Sequence, residues 1–446
     1  MSPEAGNGQR HVIVVGGGFA GVGCVKRLAG EDGVRVTLID RHNYHQFQPL
    51  LYQVATSQLA SSDIAFSLRK LFRNDANVSV KLGEVTELDP ATRTVTLADG
   101  ERFTGDALVL AAGSQPNFFR TPCAAEHALP LYSLDDATRL RSRILEAFEA
   151  ADRDPSRIDD GALTFVVVGG GPTGVELAGA LADLIAETMT VEYHDLAVTS
   201  AQIHLVDLGH TLLGPFSDSA HDYAAKVLGR KGVRLHLGVA VTEVGAGHVS
   251  LADGTTLRTR CVVWGGGIKA PPVAASGELP RGRGGRIDVL PDLTIAGADG
   301  VYVVGDIANI PSPDGHTHPQ LGSVALQSGV WAAENILADA AGGPRKSFHY
   351  HDKGIMAMIG RNAAVAEVGK RHHQVEGPVA FAAWLGVHAT LLSGVHSKTD
   401  AFLSWAWDYF DRDHSATVEA SSAPQRLAWR EEDEDLPHIV LDASAT

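Results

Sequence analysis

A chain of 446 residues has room for about two to four structural units, which excludes a single small binding module. Its 44% hydrophobic and 20% charged residues are those of a globular protein rather than a disordered one. The 53 acidic against 37 basic side chains give a net charge of -16, which repels nucleic-acid phosphate, so no nucleic-acid partner is expected.

Met1–Arg10 is polar and carries neither an apolar signal stretch nor an Arg-rich transit pattern, which reads as a cytosolic start. His11–Val15 then predicts a strand, Gly16 to Gly21 a turn, Val22–Leu28 a helix, and Val34–Asp40 a second strand ending in a carboxylate. In a dinucleotide-binding turn the first glycine makes the bend and the second lets backbone N–H groups approach a pyrophosphate. The third allows close packing at the positive end of a helix. Gly16, Gly18 and Gly21 meet that pattern, with Asp40 placed to hold a ribose. Val78–Val85 and Thr94–Leu97 read as a β-ribbon with a turn at Asp99-Gly100, and Asp106–Ala112 as a strand closing on Gly113.

After a polar stretch at 151–161 that reads as a linker, the unit recurs. Leu163–Val168 is a strand, Gly169, Gly171 and Gly174 repeat the turn, Val175–Thr188 is a helix, and Ile203–Asp207 is a strand with a terminal carboxylate. Val239–Val244 and His248–Leu251, with a turn at Asp253-Gly254, read as a second ribbon. Two dinucleotide turns in one chain point to a flavin and a nicotinamide. A carboxylate at Asp207 would accept from the ribose 2′-hydroxyl and repel a 2′-phosphate, favouring NADH over NADPH.

The three cysteines, Cys24, Cys123 and Cys261, are too scattered for a disulfide scaffold or a metal site, and each is expected to be a small buried residue. Beyond Gly343 the character changes: residues 346–412 hold 3 of the 6 tryptophans and 6 of the 20 histidines. His349, His351, His372 and His373 lack a ligand motif, and no metal is expected. Pro378–Val395 is the nearest approach to a membrane span, but His388, Thr390 and Ser393 interrupt it. Pro378–Phe410 combines apolar sequence with Trp384, Trp405, Trp407, Tyr409 and Phe410, residue types that favour a membrane–water interface; a packed hairpin in a homodimer is the alternative. Residues 413–446 carry 8 acidic against 2 basic side chains and read as a mobile acidic tail.

With Val301–Asp306 (VYVVGD) added, the two glycine turns resemble the two-dinucleotide-domain flavoprotein oxidoreductases. Within them, HQFQPLLYQVAT (45–56), GPTGVE (171–176), PDLT (291–294) and KGIMAMIGR (353–361) are similar to the type II NADH dehydrogenases, single-subunit NADH:quinone oxidoreductases, over residues 11 to about 410. That resemblance implies an α/β fold of two Rossmann-like units, an FAD unit from 1–120 and 270–345 and an NADH unit from 121–269, followed by a helical membrane-contact segment at 346–412. It implies FAD held by Asp40, by Gln48, Pro49 and Leu50 along the ring, and by Gly305 and Asp306 at the ribityl chain. Glu176 would stand at the nicotinamide side of the flavin and Lys353 would approach the flavin as a cation. The family carries an Ala-Gln pair and, four residues after that Gln, a second Gln on the quinone side. Here Gly322 and Ser323 replace the pair and Gln327 is kept. The expected activity is transfer of a hydride from NADH to flavin and of two electrons onward to a membrane quinone, without proton pumping, at the cytoplasmic face of the cell membrane. The open alternatives are a soluble NADH-dependent flavin reductase with another acceptor and an NADH-responsive flavoprotein sensor. The disulfide reductases of this fold lack support, because no redox cysteine pair is present, and so do sulfide:quinone oxidoreductases, because no cysteine follows Cys261.

Overall fold

The computed structural model describes residues 9–369, 372–392, 405 and 417. Strand β1 (Arg10–Val15) buries Val12, Ile13 and Val14 completely, as a strand covered on both faces must. The chain turns at Gly16 into α1 (Phe19–Leu28), which starts before the apolar spacing suggests, and returns as β2 (Val34–Asp40). A short helix, α2 (Leu51–Ala55), precedes β3 (Val78–Leu82). The run 78–85 is therefore not one ribbon strand. β3 pairs in parallel with β2 from Val36↔Val78 to Asp40↔Leu82, and the antiparallel ribbon begins only at Val85, after Gly83 has passed close to Leu97. β4 (Ala107–Leu110) pairs with β1 on its other side.

The second unit opens with β5 (Ala128–Pro130) and α3 (Leu134–Arg153), whose start is a reciprocal cap between Ser133 and Asp136. Residues 151–161 are not a free linker, because α3 runs to Arg153 and Asp154 then accepts the Ser156 N–H to hold a turn at Pro155–Ile158. β6 (Thr164–Val168), α4 (Pro172–Asp183) and β7 (Gln202–Asp207) repeat the first βαβ unit. α5 (Asp218–Arg230), β8 (Val233–Leu237) and β9 (Cys261–Trp264) complete it, and β10 (Thr294–Ile295) and β11 (Ala298–Val303) return to the first sheet. The sheet orders are β10-β11-β4-β1-β2-β3 and β5-β9-β6-β7-β8. Cys123, in the crossing between the sheets, is exposed with a left-handed backbone (φ 56°), whereas Cys24 and Cys261 are buried as expected.

α6 (Gly322–Ala340) packs along α1 at a contact only glycine permits: a Cβ on Gly329 would strike the Ala20 carbonyl. Residues 346–412 do not begin as helix. β12 (Gly354–Gly360), β13 (Ala363–Val368) and β14 (His373–Glu376) form an antiparallel sheet against α4, and helix returns only in α7 (Pro378–Leu391). Burial runs without a break through Ala357–Gly360 and Ala363–Glu367, as in strands covered on both faces, and Ala357, Ile359, Ala364 and Val365 are fully buried. Trp384 and Trp405, expected at a membrane surface, are 0% and 7% exposed and pack on each other and, through Trp384, on Tyr52. Trp407, Tyr409 and Phe410 lie outside the described residues, as does the acidic tail apart from Thr417. Among the described residues no helix is long and apolar enough to cross a membrane.

Candidate active site

At the first turn Gly16 has φ +107°, and a Cβ there would strike the Ala111 carbonyl; one on Gly21 would strike the Gly16 carbonyl. Gly18, in contrast, faces open space. Asp40 closes the turn, its Oδ2 accepting the Gly17 N–H at 2.5 Å and its Oδ1 the His42 N–H at 2.6 Å. Burial raises this carboxyl's pKa, against the pull of the two N–H groups. The second turn repeats the geometry. Gly169 (φ +114°) lies against the Gly265 carbonyl, Gly174 packs on Gly169, Gly171 faces open space, and Asp207 accepts from Gly170 and Gly209 N–H, each at 2.5 Å.

The first turn opens on a cleft at the surface of the first sheet's carboxyl end. Gly16 to Ala20, Asp40, Gln48, Gly113, Gly305 and Asp306 line it, together with Gly322 and Ala325 from the start of α6. Asp306 sits in the turn Gly305–Ile307, where its Oδ2 accepts from Ser114 Oγ at 3.2 Å. Ser114 Oγ is 2.7 Å from the Tyr132 hydroxyl, which also accepts the Ser114 N–H at 3.1 Å. Burial raises the Asp306 pKa, while Ser114 and the Arg286 charge oppose the rise. Of the segment 48–50, Gln48 faces the cleft, Pro49 continues the 3₁₀ turn, and Leu50 is wholly buried beneath it.

The remaining expected residues divide. Glu176 lies in the second turn of α4, 8% exposed, with Oε1 accepting the Met358 N–H of β12 at 3.2 Å. Burial lifts its pKa from 4.5 to about 8, although Met358 and the Trp384 indole favour the charged form. Ser323 Oγ is 2.8 Å from the Tyr350 hydroxyl, and both ends of the Gln327 amide are bonded to the backbone of His351, at 2.9 and 3.0 Å. Lys353 is exposed and does not line the cleft. Among the described residues no group of three or more His, Cys, Asp and Glu side chains is placed to hold a metal ion.

Ser114, Tyr132, His45 and Gln46 were not singled out by sequence, yet they shape the site. His45 Nδ1 lies 2.9 Å from the Gly17 carbonyl, and its ring meets Phe19 edge-on at 5.2 Å. Gln46 bridges to the Tyr132 carbonyl and the Leu134 N–H, each at 3.0 Å. Nothing in the local sequence marks Tyr132, which reaches the cleft from the loop between β5 and α3 of the other unit. For His45 and Gln46 the adjoining FQPLL run was a usable signal.

Comparison with known proteins agrees with this geometry. The pyridine nucleotide-disulphide oxidoreductase family matches residues 10–329. The chain is 38% identical to a type II NADH:quinone oxidoreductase of Mycobacterium tuberculosis over 422 residues, 91% of this chain and 89% of that protein. A second protein of that name from the same organism is 36% identical over 427 residues, 92% of this chain and 89% of that protein. In fold, the chain is similar to NDH2 from Plasmodium falciparum in complex with NADH, with a TM-score of 0.81 and 18% identity over 90% of this chain and 98% of that one.

Proposed function

The chain belongs to the type II NADH:quinone oxidoreductases, flavoproteins that carry electrons from NADH to quinone, and from that premise we propose how its residues share the work. Residues 1–120 and 270–345 form the unit for FAD, and residues 121–269 the unit for NADH. The cleft suits FAD. Gly18 and the unpaired first N–H groups of α1 face it with no intervening side chain, as a pyrophosphate needs, and Asp40 stands where its carboxylate would accept hydrogen bonds from a ribose diol. Gly305 and Asp306, backed by Ser114 and Tyr132, fit the ribityl chain, while Gln48 borders the ring, with Pro49 and the buried Leu50 behind it, and Gly113 leaves it room. When bound, FAD supplies the two-electron chemistry that no side chain of this chain offers.

Gly169, Gly171, Gly174 and Asp207 receive the NADH pyrophosphate and ribose, with Asp207 rejecting a 2′-phosphate by like charge. Glu176, with its pKa near 8, holds a proton at neutral pH and orients or relays to the nicotinamide side. The start of α6, opening on the cleft at Gly322 and Ala325, would favour negative charge on a bound flavin, and Lys353 would add a cation from outside the cleft lining. Ser323 and Gln327 serve the acceptor side. The solvent face of α7 exposes Val379, Val387 and Leu391 and carries no Asp, Glu, Lys or Arg; we assign it to the cytoplasmic surface of the cell membrane, where quinone is reached. A homodimer through that face is the alternative.

The observation that carries this reading is the pair of glycine turns, each latched by its own strand-end carboxylate. Anaerobic stopped-flow absorbance tests it. NADH should bleach the flavin band and a quinone should restore it. Reduced enzyme that no benzoquinone or naphthoquinone reoxidises would favour a different acceptor.

A further inference from the structure

Residues 346–351 run back along one face of α6, held by side chains spaced four apart. Asn335 takes the Lys346 N–H at 2.9 Å and donates to its carbonyl at 3.0 Å, and Trp331 Nε1 donates to the same carbonyl at 3.0 Å. Gln327 clasps His351 through both its N–H and its carbonyl, and Ser323 meets Tyr350. The spacing places these four residues on one helical stripe, so the strap is fixed in register along its length. Three of the rungs grip backbone. The Ser323 rung grips a side chain with chemistry of its own, on the first turn of α6 next to Gly322, which lines the cleft, while Ser323 and Tyr350 lie just outside that lining.

Tyr350 is half-buried, with the His318 ring edge-on at 5.5 Å, and the buried His318 Nε2 has no hydrogen-bond partner within the protein. Burial raises the phenol's pKa above its ordinary value, so the hydroxyl remains a donor at neutral pH. If the Ser323 hydroxyl donates to the phenolic oxygen, the phenolic proton is left for an incoming acceptor. Resting on the quinone-reductase reading, we propose that Tyr350, aimed by Ser323, is an acceptor-specificity residue whose O–H donates to a carbonyl of the bound quinone. A tyrosine thereby supplies the hydrogen bond that Ser323 is too short to make. Gln327, with its amide committed at both ends, is a positioning residue that keeps the strap in register.

Tyr350→Phe keeps the ring and the strap and removes only the hydroxyl. In the FAD-loaded enzyme, NADH-driven flavin reduction should keep its wild-type rate, while reoxidation by subsaturating menadione slows about fivefold and menadione binding to the oxidised enzyme weakens by a similar factor. Adding Ser323→Gln to Tyr350→Phe should recover most of the loss, because the longer amide can donate in place of the phenol. Wild-type reoxidation and binding in Tyr350→Phe would overturn the proposal, and so would equal slowing of both half-reactions, which marks a structural role. Failure of quinones to reoxidise the wild-type enzyme is a different result, and it removes the functional reading and this proposal together.

Discussion

At the first glycine turn Asp40 latches Gly17 and a helix, α6, covers α1; at the second, Asp207 latches Gly170 but a strand, β12, covers α4. The helix positions correspond, counting from the first glycine of each turn. Gly23 in α1, where a Cβ would come within 2.8 Å of the Leu326 carbonyl of α6, matches Glu176 in α4, whose carboxylate takes the Met358 N–H of β12. One local motif is thus built into two surroundings. Under the helix, glycine contacts bring α6 close enough for its start to wall the cleft. Under the strand, a side chain able to hold a proton fills the gap. The shared motif gives each turn the same carboxylate latch, and the differing cover sets what walls it.

Replacing the glycine contacts should break the comparison most strongly. Gly329→Val drives a side chain into the Ala20 carbonyl, so α6 must shift; we expect a loss on the order of 3 kcal/mol and purification with little flavin, read by thermal denaturation and the visible flavin band. Gly179→Val, which meets the Ile359 carbonyl beneath β12, should keep its flavin and show its damage as proteolysis within residues 354–392.

Glu176 offers the next largest effect. Its folded pKa, about 8, exceeds its ordinary 4.5, so between those values the unfolded chain has released a proton that the folded chain keeps. Stability from this group is therefore lost as pH rises across that window and changes no further above it. Glu176→Gln should flatten the fall in melting temperature between about pH 5 and about pH 9. An unchanged slope would mean that the carboxyl is ionised in the folded protein.

Asp306→Ala removes the carboxylate that Ser114 supports, and flavin content after purification should drop roughly tenfold, the scale of one charge-assisted hydrogen bond. Asp207→Ser should leave flavin content intact.

What the sequence made legible follows from how local each feature is. Both turns, Asp40 and Asp207 could be read because strand, glycines, helix and carboxylate fall within about forty residues of chain and act on one another. Asp306 could be read because its Gly-Asp pair ends an apolar strand. Tyr132 and Ser114 could not, since their pairing with Asp306 joins three distant segments of chain. The run 78–85 reads as one strand because Val78, Val80 and Leu82 alternate and Val85 follows within three residues, but the alternation breaks at Gly83-Glu84, and pairing with β2 ends β3 at Leu82. Trp384 and Trp405 misled for a related reason: aromatic and apolar residues suit a lipid interface and a protein core equally, and here Tyr52 and Gln53 supply the core, with Trp405 Nε1 donating to Gln53 Oε1 at 2.8 Å.

The division of labour between the two turns is tested most directly by the rate of anaerobic flavin reduction with NADH and with NADPH, in wild-type enzyme and in Asp207→Ser. The wild-type enzyme should be reduced much faster by NADH, and the variant should narrow the gap by about tenfold as the carboxylate's repulsion of a 2′-phosphate and its bonds to ribose hydroxyls are lost together. Equal rates with the two nucleotides in wild-type enzyme would contradict the assignment of Asp207, and with it the claim that the second turn is the nicotinamide site.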